Sequence, residues 1–175
     1  MQTDVKHPIG PFSPEAEPTA ESHKRWIDFI SVMPSKLKLA VDGLEKSQLD
    51  TPYRLGGWTP RQVVHHLADS HMIGYVRFKR AITEDAPTIQ SFERNEWAEL
   101  QDCKCGPIDN SIALLELLHA RWTCILKELP PEDFVRKIND SEGILTSVDR
   151  LVEFYAWHGR HHTGHIKNLR ERMGW

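Results

Sequence analysis

Four histidines crowd one short stretch near the C-terminus: His158, His161, His162 and His165, within Trp157-His158-Gly159-Arg160-His161-His162-Thr163-Gly164-His165. Imidazole is the commonest protein ligand for transition metals, and two imidazoles at i and i+4 share one helical face. A second pair, His65-His66, stands near the start of another helical segment far upstream. Histidines brought to one place by two helices describe a mononuclear metal site. Three neutral nitrogens around such an ion leave a position for water, the pattern of catalytic rather than structural zinc. A metal held that way lowers the pKa of bound water or thiol and supplies a nucleophile near neutral pH.

Helix geometry selects among the rings, because each residue advances about 100° around the axis. In the last segment Leu151, Tyr155, Leu169 and Met173 mark the apolar face, with Phe154 and Ile166 at its edges. His158 and His162 fall near its centre, His165 lies close behind, and His161 turns towards the flank. In the upstream segment Val63, Leu67, Gly74, Phe78 and Ala81 cluster, His66 flanks them, and His65 points the other way, towards solvent. His71 sits at the other edge, as a packed or capped ring. Burying polar rings on an apolar stripe is costly unless each finds a partner, and one metal ion satisfies several at once. The reading is therefore a metal held by His158 and His162, with His66 as third ligand. The alternative is a set of core histidines satisfied by hydrogen bonds.

Other residues fit around that site. Asp69, three residues after His66, could orient a ligand ring or accept a proton, or stand as a surface carboxylate. His165 is either a base beside the metal or a packed ring. Arg61 and Arg160 read as solvated faces. Trp58, Trp97, Trp122 and Trp157 read mostly as core, with one available to line a pocket.

The elements that must position these residues are helical. Residues 1–18 carry Pro8, Pro11, Pro14 and Pro18 and read as an extended arm, pinned by Ile9 and Phe12. Residues 19–175 read as one metal-binding domain. From Thr19, Trp26, Phe29, Ile30, Met33, Leu37, Ala40, Val41 and Leu44 recur at helical spacing, with Pro34 implying a kink or a new start. Thr59, Pro60 and Gln62 form a helix start with a capping box, and this helix should run to about Ile82. A short helix is expected around Glu93 to Leu100. Asp109 or Asn110 should cap a third long helix, Ile112 to Leu129, stopped by Pro130-Pro131. Residues 132–146 suggest a small hairpin, and Thr146 to Asp149 open the last helix, which runs to about Met173. Four long amphipathic helices without a βαβ pattern predict an all-α fold, a four-helix bundle.

The 175 residues suit a single domain, and the formal charge of −3 makes no electrostatic case for nucleic acid. No apolar run approaches the ~18 residues that span a bilayer. With no apolar signal core behind Met1, the expectation is a soluble cytoplasmic protein acting on a small molecule. Three cysteines argue against a disulfide framework: Cys103 and Cys105 read as loop thiols and Cys124 as a core residue.

The stretch Gly56-Gly57-Trp58-Thr59-Pro60-Arg61-Gln62-Val63-Val64-His65-His66-Leu67-Ala68-Asp69-Ser70-His71 resembles the YfiT-type branch of the DinB-like superfamily. So do His7-Pro8-Ile9-Gly10, Leu49 to Arg54, Ala113 to Thr123 and the ending Arg172-Met173-Gly174-Trp175, so the similarity spans nearly the whole chain. The resemblance implies a homodimeric four-helix bundle holding a divalent metal through His66, His158 and His162; one ion per subunit is expected, zinc first and nickel second. Proteins of this branch are described as metal-dependent hydrolases, in which the metal activates water against a small electrophile. Relatives are similar to transferases of a low-molecular-weight thiol such as bacillithiol. A non-catalytic metal-binding stress protein is the remaining reading. Gly159 and Gly164 depart from the family pattern and weaken the helix by roughly 1 kcal/mol each unless close packing requires them.

Overall fold

The computed structural model describes residues 5–139, 143 and 145–175. In chain order the elements are α1 (Ala20–Val41), α2 (Lys46–Leu49), α3 (Pro60–Thr83), α4 (Arg94–Ala98), α5 (Gln101–Cys105), α6 (Ile108–Lys127) and α7 (Pro131–Phe134). A two-stranded ribbon, β1 (Lys137–Asn139) and β2 (Leu145–Ser147), then leads into α8 (Val148–Met173). The strands pair antiparallel with Ile138 opposite Thr146. The turn expected at Asn139-Asp140-Ser141-Glu142-Gly143 lies mostly outside the described residues.

The four long helices form an all-α four-helix bundle. α1 packs on α6 and α8, and α3 packs on the same two, so α1 is diagonal to α3 and α6 is diagonal to α8. The two helices richest in histidine, α3 and α8, are therefore neighbours. The core divides into two apolar clusters, one around Ile30, Phe78, Trp122 and Tyr155, the other around Leu37, Leu67, Leu115 and Ile166. His71 of α3, His119 of α6 and His158 of α8 are buried between these clusters, so a polar layer crosses the bundle there.

Local chemistry sets the phase of α3. Thr59 Oγ1 accepts from the Gln62 amide at 3.2 Å, and Gln62 Oε1 accepts from the Thr59 amide at 3.0 Å, so both halves of the capping box are made. Gln62 Nε2 also donates to the Ala98 carbonyl at 2.9 Å, which ties α4 to the beginning of α3.

Four local expectations are corrected. Pro34 neither breaks nor restarts α1, which runs unbroken through it. α6 begins at Ile108, earlier than a cap at Asp109 or Asn110 implies, and Asp109 instead lies in its first turn, where a carboxylate favours the helix dipole. Cys124 is exposed, because the buried side of α6 is carried by Ile112, Leu115, Leu118, His119, Trp122, Thr123 and Leu126. Arg61 is buried rather than solvated: its Nε donates to Asp50 Oδ1 at 2.7 Å and its guanidinium to the Gly106 carbonyl at 2.8 Å.

Residues 5–18 form no helix or strand and lie across α8. Phe12 meets Phe154 edge-on at 5.4 Å, and the Glu15 amide donates to Glu153 Oε1 at 2.8 Å. Two glycines of α8 are packing sites. A Cβ at Gly159 would lie 2.5 Å from Met33 Cγ, and one at Gly164 would lie 3.1 Å from Pro8 Cγ. No helix among the described residues is long and apolar enough to cross a membrane.

Candidate metal centre

The structure brings His66 of α3 together with His158 and His162 of α8. One ligand nitrogen from each lies within 4.8 Å of the other two. His66 Nε2 stands 3.3 Å from His158 Nε2. Two nitrogens bound at roughly 2.0–2.1 Å to a tetrahedral ion are about 3.4 Å apart, so this pair already has the spacing of a chelate. His162 Nδ1 is buried and has no hydrogen-bond partner. An unpaired buried nitrogen beside two converging imidazoles is what a bound cation would satisfy. The donor set thus fits a divalent ion of intermediate softness.

Burial keeps these rings neutral and able to donate a lone pair. It pushes the His66 pKa down to about 4, with the Arg94 charge adding to the effect. It drives His158 and His162 well below the ordinary histidine value, reinforced by the neighbouring imidazoles. Aromatic rings wall the triad. Trp58 lies 4.6 Å from the His66 ring, and Phe154 stacks on His158 at 5.4 Å. A cavity of about 960 Å³ opens beside the three histidines.

His165 lines the same cavity, with its Nε2 3.1 Å from His161 Nε2 and its ring stacked 4.1 Å from Tyr53. Burial lowers its pKa to about 3, with help from His161 and Arg54. Asp69 lies elsewhere. It is not among the cavity residues, and its carboxylate accepts from the Cys103 thiol at 3.8 Å. Burial and then Asp102 raise the Asp69 pKa. Burial also pushes the Cys103 thiol up to about 12, which makes it a poor nucleophile.

His65 does not face solvent. It is buried, with Nδ1 2.8 Å from Ser111 Oγ and Nε2 3.3 Å from the Gly106 carbonyl, because the α5–α6 connection folds over that side of α3. Of the four tryptophans expected mostly in the core, only Trp122 is fully buried, and both Trp58 and Trp157 line the cavity. Arg160 sits over the Phe29 ring at 4.2 Å.

Sequence reasoning missed two kinds of residue. Arg54 and Arg94 line the cavity with no carboxylate within 4.0 Å of either among the described residues, and nothing in their local sequence marks them. His119 is fully buried 3.0 Å from His71, the packed ring expected on α3, which in turn lies 3.2 Å from His158. The signal for His119 was its place on the apolar stripe of its helix.

This is a histidine-lined pocket between two helices of a four-helix bundle, and the chain belongs to the DinB superfamily, whose family model matches residues 30–166. A protein of Bacillus mycoides (strain KBAB4) named "Putative metal-dependent hydrolase" is 48% identical over 172 residues, covering 98% of this chain and 99% of the relative. One with the same name from Bacillus cereus (strain 03BB102) matches equally, at 48% over 172 residues with 98% and 99% coverage. Among solved structures, YfiT from Bacillus subtilis superposes with a TM-score of 0.95 at 44% identity, covering 98% of each chain. That protein is described as "a probable metal-dependent hydrolase with an unusual four-helix bundle topology".

Proposed function

We propose that the protein is a metal-dependent hydrolase of a small, negatively charged electrophile, with one divalent ion, zinc before nickel, held by His66, His158 and His162. The observation that carries the reading is the convergence of three neutral imidazoles, one with an unpaired buried nitrogen, at the wall of an open cavity. The chemistry such a metal contributes is acidification of water and polarisation of the electrophile.

The chain's own residues do the rest. Arg54 and Arg94 bind the anionic part of the substrate. The Arg94 guanidinium has no hydrogen bond or ion pair among the described residues, and its charge is felt at His66 and His158. Of the two acidic liners, Glu99 is already occupied by Lys104 at 3.1 Å and by Gln62 at 3.2 Å. Trp58 and Trp157 exclude water from one side. His165, paired with His161, lines the cavity beside the triad as an uncharged ring, whereas Asp69 lies outside the cavity.

The test is turnover of carboxylate-bearing esters and amides by zinc-loaded protein, with and without an added low-molecular-weight thiol. Hydrolysis without thiol is expected. Arg94→Gln should raise KM about tenfold, the value of one charge-assisted contact, with kcat little changed. Turnover only when thiol is present would assign the protein to thiol transfer. No turnover of any substrate by a metal-loaded protein would favour a binding role.

A further inference from the structure

Two buried histidines that ligate nothing in this reading, His71 and His119, form a line with His158. His158 Nδ1 lies 3.2 Å from His71 Nε2, and His71 Nδ1 lies 3.0 Å from His119 Nε2. His119 Nδ1 ends the line 2.6 Å from the Ile30 carbonyl oxygen. The line therefore touches all four long helices, α8, α3, α6 and α1 in turn. The three rings are 6%, 0% and 1% exposed, and among the described residues no carboxylate bonds to any of them, so none there stabilises a charge.

A neutral imidazole has one N–H and one lone pair, and with a carbonyl at one end that rule sets every proton. The carbonyl only accepts, so His119 Nδ1 carries hydrogen and His119 Nε2 is bare. His71 Nδ1 must then donate to it, which leaves His71 Nε2 bare. His158 Nδ1 must donate in turn, and His158 Nε2 is left as a lone pair. That atom is the one facing His66 in the triad.

The anchor itself follows from sequence. In an α-helix the carbonyl of residue 30 accepts from the amide of residue 34. Residue 34 is proline, which has no N–H, yet α1 continues through it. The freed Ile30 carbonyl would be a buried unpaired acceptor without His119. Among the described residues neither of the other two triad rings has a comparable hold: His162 Nδ1 is unpaired, and His66 bonds only towards His158.

We infer that Pro34, Ile30, His119 and His71 are positioning residues, which lock His158 in the tautomer and ring orientation that present its Nε2 lone pair to a metal ion. This rests on the metal reading above. Such outer contacts fix ligand geometry, and their loss typically weakens metal binding about 10–100-fold.

The test begins with metal-free, isotope-labelled full-length protein. Long-range proton–nitrogen NMR should show His158, His71 and His119 all with hydrogen on Nδ1. His119→Phe keeps a ring but removes the anchor. It should leave His158 in mixed tautomers and weaken zinc, measured by chelator competition, about 10–100-fold. His119→Gln keeps a donor for Ile30 and an acceptor for His71, and should recover most of that affinity. Pro34→Ala restores a competing amide and should weaken zinc by a smaller factor. A wild-type His158 carrying hydrogen on Nε2 overturns the inference even if zinc binds. So does a folded His119→Phe with unchanged zinc affinity and tautomers. Should His119→Phe not fold, the wild-type tautomers and the Pro34→Ala affinity decide. The expected tautomers with no zinc binding in wild type would overturn the metal reading and, with it, the purpose assigned to the line.

Discussion

The metal-free protein is expected to lose its helical circular dichroism in mild acid, with a midpoint near pH 5. His66, His71, His119, His158 and His162 all have pKa values displaced downward, and burial is the largest cause for each. For His66 and His119 the pKa falls to about 4. In the unfolded chain each ring titrates near 6.5. Above that pH neither state is protonated at these positions, and the rings carry no proton-linked penalty. As pH falls through 6.5 the unfolded chain takes up protons that the folded chain refuses. Stability is therefore lost from about 6.5 down towards the folded values. Each ring costs about 1.4 kcal/mol per pH unit in that window, so five cost about 7. A domain stable by roughly 5–15 kcal/mol exhausts that within one to two units. A metal on the triad binds the folded state alone, so zinc should shift the transition to lower pH. A metal-free protein that keeps its helicity down to about pH 4 would contradict this account of the buried rings.

Gly74→Ala should destabilise the protein by about 3 kcal/mol and lower Tm by roughly 6–12 °C. Alanine is the better helix former by about 1 kcal/mol, so propensity alone predicts the opposite sign. Packing decides, because a Cβ at Gly74 would stand 2.3 Å from Tyr155 Cζ and within 2.7 Å of both Cε atoms. Tyr155 has nowhere to go. It is 1% exposed, with Trp122 at 5.3 Å and His71 at 5.1 Å, ring to ring. Relief requires α3 and α8 to separate one turn from His71 and His158, so weaker zinc binding should accompany the lower Tm. Differential scanning calorimetry reads the first effect and chelator competition the second. An unchanged or higher Tm would mean that the two helices are not held at this distance.

What could be read from sequence was whatever depended on one helix at a time. His158 and His162 share the apolar face of α8 by periodicity alone, and the Thr59–Gln62 capping box fixes where α3 begins. The face argument also set His66 beside them, and the resemblance to the DinB family implied the same three residues. What could not be read depended on a second element folding over the first. His65 lies on the side of α3 away from the apolar stripe, and only the α5–α6 connection turns that side into interior. Pro34 looked like a break because its consequence lies 89 residues away from Ile30, at His119. Arg54 and Arg94 come from irregular or short segments whose placement no periodicity governs. Cys124 carries a smaller lesson: an apolar type near the edge of a stripe is core only if a neighbouring helix covers it.

The central claim is a metal ion bound by His66, His158 and His162, and elemental analysis tests it most directly. Tag-free wild-type protein and His158→Ala should be compared after reloading with zinc or nickel and exhaustive dialysis. The account predicts about one equivalent of metal per wild-type chain and almost none in the folded variant. A wild-type protein that retains no metal, or a variant that retains as much as wild type, would contradict it.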